Sequence, residues 1–214
     1  MEVLRRGKDI ILNPKVHKRT LIWLHGLGDS AEGFLPLFQM NPLLEDCKIV
    51  LLTAPSRPVT LNYGMKMNSW YDIISIDKRE MNPEVIESAD RVSSEIQDQR
   101  KSTKEIYLGG FSQGGALSLY TGLVHIDIPL HAIIGVSCYA MNYTIKKSLA
   151  NTPIMLYHGK NDGMVPFNMA KESFINVLVD VKYKLYSEDG LDHGISMGTL
   201  NSISEWAKGL YIKE

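Results

Sequence analysis

Residues 106–117 read Ile-Tyr-Leu-Gly-Gly-Phe-Ser-Gln-Gly-Gly-Ala-Leu, an apolar run that passes into a glycine-rich turn and then into small residues. Within this stretch, Gly110–Gly114 has the pattern G-x-S-x-G, which places a serine on a strained turn between a strand and a helix. The N-terminus of that helix favours negative charge near the serine. A serine between two glycines is often an ordinary turn, but the apolar run before it and the helix start after it are the context that the chemistry requires. We therefore predict that Ser112 is a nucleophile at the end of a sheet.

Short apolar runs alternate with helical patterns along the rest of the chain. Most of the runs are continuous, which is typical of strands buried on both faces. This alternation predicts an α/β fold, with mostly parallel strands joined by helical crossovers and with helices on both faces of the sheet. The predicted strands are Thr20–His25, Ile49–Leu52, Ile106–Leu108, Ala132–Ser137, Ile154–Tyr157 and Tyr183–Tyr186. The predicted helices are Ala31–Met40, Pro83–Arg100, Gly114–His125, Phe167–Leu178 and Met197–Leu210.

Two regions depart from this alternation. Residues 1–17, with Asn13-Pro14 as a turn signal, predict an antiparallel edge hairpin or an extended lead-in. The interval Thr53–Met81 is too long to be a simple connection, and loops of that length in a compact domain are usually functional. No repeat or linker interrupts the chain, so a single domain over residues 1–214 is expected.

The composition excludes two classes of protein. The 214 residues contain 23 Lys and Arg against 24 Asp and Glu, a formal net charge of −1. The basic footprint of a nucleic-acid binder is therefore missing, and so is a polybasic run that would hold a protein on an anionic membrane. Cys47 and Cys138 are too few for a disulfide framework and fit a reducing compartment, so a cytoplasmic protein is expected.

An uncharged stretch, Ile106–Ile126, is about as long as a membrane span. Five glycines lie within it, and its apolar residues cluster at the front, so it predicts a buried strand followed by a buried helix. Met1–Lys8 is charged and is followed by no long apolar segment, so no signal peptide is expected.

A nucleophilic serine needs a base, and in this type of fold the chain order is serine, then acid, then histidine. His193 comes late in the chain, in the loop after Tyr183–Tyr186, at the sheet edge that carries Ser112. The other five histidines either precede Ser112 or lie at the ends of strands and helices; His158 is expected to serve a turn. A loop histidine is commonly a solvated surface residue, but the position of His193 favours the base.

The acid is expected in the exit loop of the preceding strand. Asp162 lies there in Asn161-Asp162-Gly163, a sequence that is also a good turn by itself. Asp189 and Asp192 are too close to His193 along the chain to orient it easily. Asp162 would fix the tautomer of the imidazole and stabilise the imidazolium.

The chemistry also needs two N–H donors for the oxyanion. One is expected from the backbone of Gln113, the residue after the nucleophile. The other is expected from Leu24–Ser30, where two glycines free the backbone to point an N–H inward. We assign this donor to Leu27, and the neighbouring residues Gly26 and Gly28 are the alternatives.

Five stretches of the chain together resemble the acyl-protein thioesterase / lysophospholipase / carboxylesterase family of α/β-hydrolases. They occur in the family's order and cover the chain from about residue 20 to its end. The resemblance implies the α/β-hydrolase fold, the triad Ser112, Asp162 and His193, and the donors Leu27 and Gln113. The matching stretches are His25-Gly-Leu-Gly-Asp-Ser, Pro58-Val-Thr-Leu-Asn-Tyr-Gly-Met-Lys-Met-Asn-Ser-Trp-Tyr-Asp-Ile, Gly110-Phe-Ser-Gln-Gly-Gly, His158-Gly-Lys-Asn-Asp-Gly-Met-Val-Pro and Gly190-Leu-Asp-His.

The resemblance also implies a role for the long interval. In the family the part that matches Pro58–Ile73 borders an acyl-binding channel, so Met65, Met67, Trp70 and Ile73 are expected to be walls of an apolar groove. Methionine suits such a wall because it adapts to chains of differing shape. The ordinary alternative is that these side chains belong to the core.

The chain departs from the family's pattern at two places near this groove. After Ala132–Ser137 the family tends to continue Gly-x-x-Pro, whereas this chain continues Cys138-Tyr-Ala-Met-Asn. Position 68 is Asn where relatives often carry Arg. These differences concern acyl-chain length and acceptor recognition, and they leave the triad unchanged.

The resemblance and the motifs together predict a serine hydrolase of lipid metabolism that cleaves acyl thioesters or esters through an acyl-enzyme. Expected substrates are an acylated protein, a lysophospholipid or a small acyl ester, and the alternative is a broad carboxylesterase or lysophospholipase without protein substrates. No metal or cofactor is implied, no nucleic acid is expected, and membrane contact is at most peripheral. The expected oligomeric state is a monomer or a weak dimer. A non-catalytic acyl-binding protein would be marked by a lost triad residue, and a peptidase by an inserted lid.

Overall fold

A twisted arrangement of mostly parallel strands lies at the centre of the structure, a computed structural model that describes residues 1–210. The strands of the described residues are β1 (Glu2–Arg6), β2 (Asp9–Asn13), β3 (Arg19–Leu24), β4 (Cys47–Leu52), β5 (Ser56–Val59), β6 (Met65–Asn68), β7 (Glu105–Phe111), β8 (Ala132–Val136), β9 (Ile154–Gly159) and β10 (Tyr183–Glu188). Eight of them form one sheet in the order β1-β2-β4-β3-β7-β8-β9-β10. From β4 to β10 every neighbouring pair is parallel.

Within residues 1–210, four α-helices connect these strands and a fifth follows the last strand. They are α1 (Ala31–Met40), α2 (Pro83–Gln99), α3 (Gln113–Tyr120), α4 (Phe167–Val177) and α5 (Met197–Gly209). The helix predicted over Gly114–His125 is α3 followed by a π-helical turn, Thr121–His125. At the start of α2, the Asn82 side chain accepts a hydrogen bond from the Val85 N–H at 3.2 Å, and proline occupies the first helical position.

Apolar side chains form a core on each face of the sheet. In β3, Leu21 and Trp23 belong to one core, whereas Ile22 and Leu24 belong to the other. This alternation is what a strand buried on both faces produces. Helices α1 and α5 cover the first core, and α2, α3 and α4 cover the second. The predicted fold, a mostly parallel sheet with helices on both faces, is confirmed.

The N-terminal residues form the antiparallel edge hairpin rather than an extended lead-in. β1 pairs with β2, and β2 pairs with β4, both antiparallel. The reversal occurs at Gly7, whose φ is +62°, and not at Asn13-Pro14, which ends β2. Glycine adopts this left-handed backbone at no steric cost, which explains the position of the turn.

The long interval contains a small hairpin that the sequence did not predict. β5 and β6 pair antiparallel with each other, apart from the main sheet, and a short 3₁₀ turn, Thr60–Asn62, joins them. Proline within β5 and a charged residue within β6 hide the alternation of a typical strand. The hairpin follows β4 and precedes α2, so this excursion leaves the carboxyl edge of the parallel sheet.

The uncharged stretch 106–126 divides between β7, α3 and the π-helical turn, as predicted. Over the 210 residues that the structure describes, no helix combines the length and the apolar character needed to cross a bilayer. The predicted domain runs to residue 214, and its last four residues lie outside the described part of the chain.

Candidate active site

Ser112 sits on a sharp turn between β7 and α3. Its φ of +52° lies in the left-handed region, which is strained for a residue other than glycine. A Cβ at Gly110 would lie 2.4 Å from the Gly114 carbonyl carbon, and a Cβ at Gly114 would lie 2.2 Å from the Leu24 carbonyl oxygen. Both positions therefore accept glycine alone. The Ser112 N–H donates to the Val136 carbonyl at 2.8 Å, which ties the turn to β8.

The three residues predicted as a triad come together at this edge of the sheet. His193 Nε2 lies 3.0 Å from Ser112 Oγ, and His193 Nδ1 lies 2.7 Å from Asp162 Oδ2. Because a carboxylate only accepts, Nδ1 carries the proton, and Nε2 can accept the proton of the serine hydroxyl. The Phe111 ring packs beside the imidazole at a centroid distance of 4.8 Å. This hydrogen-bonded chain is chemically suited to acyl transfer.

Asp162 is buried and held as a carboxylate. Its Oδ1 accepts from the N–H groups of Met164 at 2.9 Å and Val165 at 2.8 Å. Burial alone would raise the pKa of Asp162, but hydrogen bonds from His158, His193 and the Val165 N–H outweigh it and hold the pKa well below its usual range. The carboxylate is thus ionised at the pH at which His193 would act as a base.

His158 contributes to this site in a way that sequence reasoning missed. The prediction assigned it to a turn, but it is 1% exposed, and its Nε2 lies 2.8 Å from the Val165 carbonyl and 3.3 Å from Asp162 Oδ2. Both partners accept, so Nε2 carries a proton and is shared between them. The only signal in the sequence is the spacing of His158 four residues before Asp162, at the end of a buried strand.

The loop that carries His193 is closed at its base. Glu188 Oε2, at the end of β10, accepts from Tyr157 Oη at 2.7 Å and from Ser196 Oγ at 2.6 Å. Ser196 is the N-cap of α5, so one carboxylate joins the two ends of the loop. Closer to the histidine, Asp192 Oδ1 accepts from the N–H groups of His193 at 2.8 Å and Gly163 at 3.1 Å. These contacts limit how far the imidazole can move from Ser112.

The two residues predicted as oxyanion donors lie beside Ser112. Leu27 and Gln113 line the same cavity as Ser112 and His193. The Gly28 N–H already donates to the Asn68 carbonyl at 2.8 Å, which favours Leu27 over Gly28 as the donor from that loop. The assignment of the oxyanion donors stays a prediction that this placement allows.

His25 supports the loop that contains Leu27. Its Nε2 accepts from the Ala54 N–H at 2.9 Å, so Nδ1 carries the proton and donates to the Gly26 carbonyl at 2.6 Å. Burial lowers the pKa of His25, which keeps the ring neutral. The imidazole therefore connects the loop after β3 to the segment after β4, with one tautomer specified by its partners.

The side chain of Gln113 attaches the long interval to the elbow. It is buried, and its Oε1 accepts from the Trp70 N–H at 3.0 Å. Its Nε2 donates to the Tyr71 carbonyl at 2.7 Å and to Ser69 Oγ at 3.0 Å. One side chain thus satisfies three groups of residues 69–71, and sequence reasoning had used only the backbone of Gln113.

A cavity of about 250 Å³ opens beside Ser112, Gln113 and His193. Among the residues that line it, the apolar ones include Leu27, Leu61, Ile73, Ile76, Tyr139 and Met164. This volume lies just below the range of typical small-molecule pockets. An apolar cavity next to a hydrogen-bonded serine–histidine pair suits an acyl group.

Three of the four predicted groove residues lie elsewhere, and only Ile73 lines this cavity. Trp70 is fully buried in the core, where its Nε1 donates to the His25 carbonyl at 2.9 Å. Met65 lies on the outer side of β6 and is 59% exposed. Met67 is half-buried, and its Sδ accepts from Asn62 Nδ2 at 3.2 Å. Met65, Met67 and Trp70 are not among the residues that line this cavity, so their assignment to the acyl groove stays a prediction.

Comparison with known proteins places the chain among acyl hydrolases. A family model described as phospholipase/carboxylesterase matches residues 6–210. The chain is 32% identical over 207 residues to an acyl-protein thioesterase 1 from Yarrowia lipolytica, covering 89% of this chain and 91% of that protein. It is 35% identical over 193 residues to an acyl-protein thioesterase 1 from Emericella nidulans, covering 79% and 80%. The crystal structure of SOBER1 from Arabidopsis thaliana superposes with a TM-score of 0.83 at 28% identity, covering 90% of this chain and 99% of that one.

Proposed function

The chain belongs to the phospholipase/carboxylesterase family and is a thioester or ester hydrolase, and we propose that it works through a Ser112–His193–Asp162 triad. The observation that carries this proposal is the hydrogen-bonded chain itself, 3.0 Å from serine to histidine and 2.7 Å from histidine to aspartate. It lies at the mouth of an apolar cavity, on a strained turn ahead of a helix N-terminus. Both separations are within hydrogen-bond reach, as general-base activation of a hydroxyl requires.

The reaction follows from these positions. Ser112 Oγ attacks the acyl carbonyl while its proton passes to His193 Nε2, and the N–H groups of Leu27 and Gln113 bind the oxyanion. The C–S or C–O bond then breaks, and the leaving thiol or alcohol takes the proton from His193. Water, deprotonated by His193, attacks the acyl-enzyme. The bond from Ser112 Oγ to the acyl carbon then breaks, Ser112 Oγ takes the proton back from His193, and the free acid is released. Asp162 keeps the imidazole in the required tautomer throughout.

We propose an acylated protein as the substrate. The support comes from relatives above 30% identity that are named acyl-protein thioesterases and that align with most of this chain. The cavity binds only the acyl group in this scheme, so the rest of the substrate would remain at the surface. A small acyl ester also fits this geometry and provides a convenient test substrate.

Replacement of Ser112 with Ala tests the mechanism. Without the nucleophile, kcat/KM for a short aryl ester should fall by at least about 10⁴-fold, while the far-UV circular dichroism spectrum and the free energy of unfolding stay near wild type. Ser94→Ala, at an exposed serine of α2, is the matched control and should retain full activity. Near-normal turnover by Ser112→Ala would refute the proposal.

A fluorophosphonate probe distinguishes an enzyme from a binding protein on the same fold. The wild type should be labelled at Ser112, as shown by mass spectrometry of the proteolysed protein, because the probe reports an activated serine. A binding protein would not react. For the substrate class, hydrolysis of an S-acylated peptide should exceed that of a lysophospholipid with the same acyl group, and the reverse order would contradict the assignment to protein substrates.

A further inference from the structure

Two cavities meet at a common wall beside the catalytic residues. The cavity next to Ser112 has a volume of about 250 Å³, and a second cavity has about 50 Å³. Ile73 and Tyr139 line both of them. We propose that these two side chains, here called the end wall, terminate the acyl-binding site and restrict the enzyme to short acyl groups. This inference rests on the proposed function, and it assigns the acyl class to that site.

Tyr139 is held rigidly in this position. It is 3% exposed, and its hydroxyl lies 3.1 Å from the buried hydroxyl of Tyr71. The carbonyl of Tyr71 in turn accepts from Gln113 Nε2 at 2.7 Å, so the end wall is attached to the elbow that carries Ser112. Burial raises the pKa of Tyr139 to about 12, so the phenol stays neutral and hydrogen-bonded at working pH. The ring is also packed in the core, so an acyl chain cannot displace it without disrupting buried apolar contacts.

The second cavity is a poor place for an alkyl chain. Arg79 lines it, and Nε and Nη1 of its guanidinium are buried with no hydrogen-bond partner among residues 1–210. Methylene groups placed there would enclose the charge further without giving it a partner, and burial of an unpaired charge is unfavourable. The space of about 50 Å³ is also much smaller than the cavity in front of the end wall.

Tyr139 lies in the segment that follows β8, which reads Ser137-Cys-Tyr-Ala-Met. Ser137 has a φ of +48°, and its N–H donates to the Tyr157 carbonyl at 2.8 Å, which fixes the direction in which the segment leaves the sheet. The chain's own residues at this point thus place an aromatic ring where the cavity ends.

Hydrolysis of acyl thioesters that differ only in chain length, from acetyl through butyryl and octanoyl to palmitoyl, tests the end wall. The wild type should have its highest kcat/KM for the short acyl groups and lose at least about tenfold at octanoyl. Tyr139→Ala removes the ring and opens the space that the ring fills in front of the second cavity. Each further methylene that is then buried raises kcat/KM by roughly fourfold, so burial of two of them should increase the octanoyl-to-acetyl ratio by roughly 16-fold.

Two variants serve as controls. Tyr139→Phe keeps the ring and should keep the wild-type chain-length profile, and so should Tyr63→Ala, at a tyrosine that is 97% exposed on the outer hairpin. If Tyr139→Ala does not fold, Tyr139→Leu provides a smaller opening. For either variant, the ratio of labelling rates with long-alkyl and short-alkyl fluorophosphonates gives the same comparison without turnover.

The outcomes separate this inference from the proposed function. A wild type that prefers palmitoyl thioesters, or a Tyr139→Ala enzyme with an unchanged profile, overturns the end wall while leaving the triad intact. A wild type that hydrolyses no acyl thioester and reacts with no fluorophosphonate overturns the proposed function, and the end wall with it. A profile that shifts toward longer chains only in Tyr139→Ala or Tyr139→Leu supports both.

Discussion

The two sides of the active-site cavity are held in place by different kinds of contact. On one side, Ser112, Asp162 and His193 lie just beyond β7, β9 and β10, whose positions are determined by the ladder of the parallel sheet. On the other side, residues 53–81 leave the sheet, and the two strands within them pair with each other. The first side is built on the continuous ladder of the main sheet, whereas the second is attached to the rest of the molecule by separate contacts, many of them made by side chains.

The attachments of the second side can be named one by one. Gln113 binds residues 69–71, and the Trp70 indole donates to the His25 carbonyl. Ser88 of α2 donates to the Trp70 carbonyl, and Arg91 of α2 donates to the Thr53 carbonyl at 2.6 Å. A substitution on this side removes one of these attachments, so we expect it to change stability and acyl binding. A substitution on the strand side is expected to change the chemistry.

Asp162→Asn should produce the largest effect and act on the strand side alone. The amide cannot hold the His193 tautomer that a carboxylate imposes, so kcat should fall by about 10⁴-fold with little change in KM. Stopped-flow or steady-state hydrolysis of an aryl ester measures the loss. Asp189→Asn is the control, since Asp189 lies in the same loop as His193 with its side chain 87% exposed. A loss of less than about tenfold in Asp162→Asn would show that the strand side does not carry the chemistry.

Gln113→Ala should weaken the attachment of residues 53–81 without removing a group from the chemistry, because the substitution removes the side chain and leaves the backbone N–H in place. The Trp70 N–H and the Tyr71 carbonyl would lose their partner, and buried unpaired groups cost about 1–3 kcal/mol each. We expect a lower free energy of unfolding by about 3 kcal/mol and faster amide exchange in residues 53–81. Activity should fall by roughly tenfold to a hundredfold, mainly through KM.

The matched control for this prediction is Gln97→Ala, at an exposed glutamine of α2 that should tolerate the change. If Gln113→Ala unfolds like the wild type and exchanges no faster in residues 53–81, the second side is held by something other than this side chain. If kcat falls instead of KM rising, the side chain supports the chemistry directly, and the distinction between the two sides is weaker than the contacts indicate.

The same contrast explains how far the sequence alone could lead. Strands such as β7 and β9 are continuous apolar runs, and the glycine spacing around Ser112 leaves few alternatives, so the fold and the residues gathered at the sheet edge follow from local pattern. The β5–β6 hairpin has no such pattern, since proline and lysine interrupt it. Trp70 is fully buried whereas Met65 is 59% exposed, and no local signal distinguishes a core tryptophan from a cavity wall.

His158 shows the same limit on the strand side. Its partners, Asp162 and Val165, are four and seven residues further along the chain, and only the turn between them brings their oxygens to its Nε2. A strand-end histidine before a glycine is adequately explained by a turn. Its contribution depends on a tertiary arrangement that spacing does not reveal.

His158→Phe should have an intermediate effect with a distinctive pH dependence. The Asp162 carboxylate would lose one of the donors that lower its pKa, so its charge would be less well stabilised and would hold the imidazolium of His193 more firmly. The acid limb of kcat/KM should therefore move to higher pH, and the rate at neutral pH should fall by about tenfold.

His158→Gln provides the rescue, because its side-chain amide can restore a donor near the position of Nε2. The acid limb should then return toward the wild-type position even if the protein is somewhat less stable. A purely structural role would lower the amount of folded enzyme without moving the limb. An unchanged limb in His158→Phe would therefore assign His158 to packing alone.

The smallest expected effect concerns the β5–β6 hairpin. Met65→Ser should change the free energy of unfolding by no more than about 0.5 kcal/mol and leave the acyl-length profile as it is, because Met65 is 59% exposed and does not line the cavity. Ile73→Ala, on the same excursion but inside the cavity, should alter that profile. Met65 lies on the exposed surface of residues 53–81, whereas Ile73 lies on the surface that lines the cavity. An equal response to both would mean that the hairpin closes over the bound acyl group and that the cavity beside Ser112 is only part of the site.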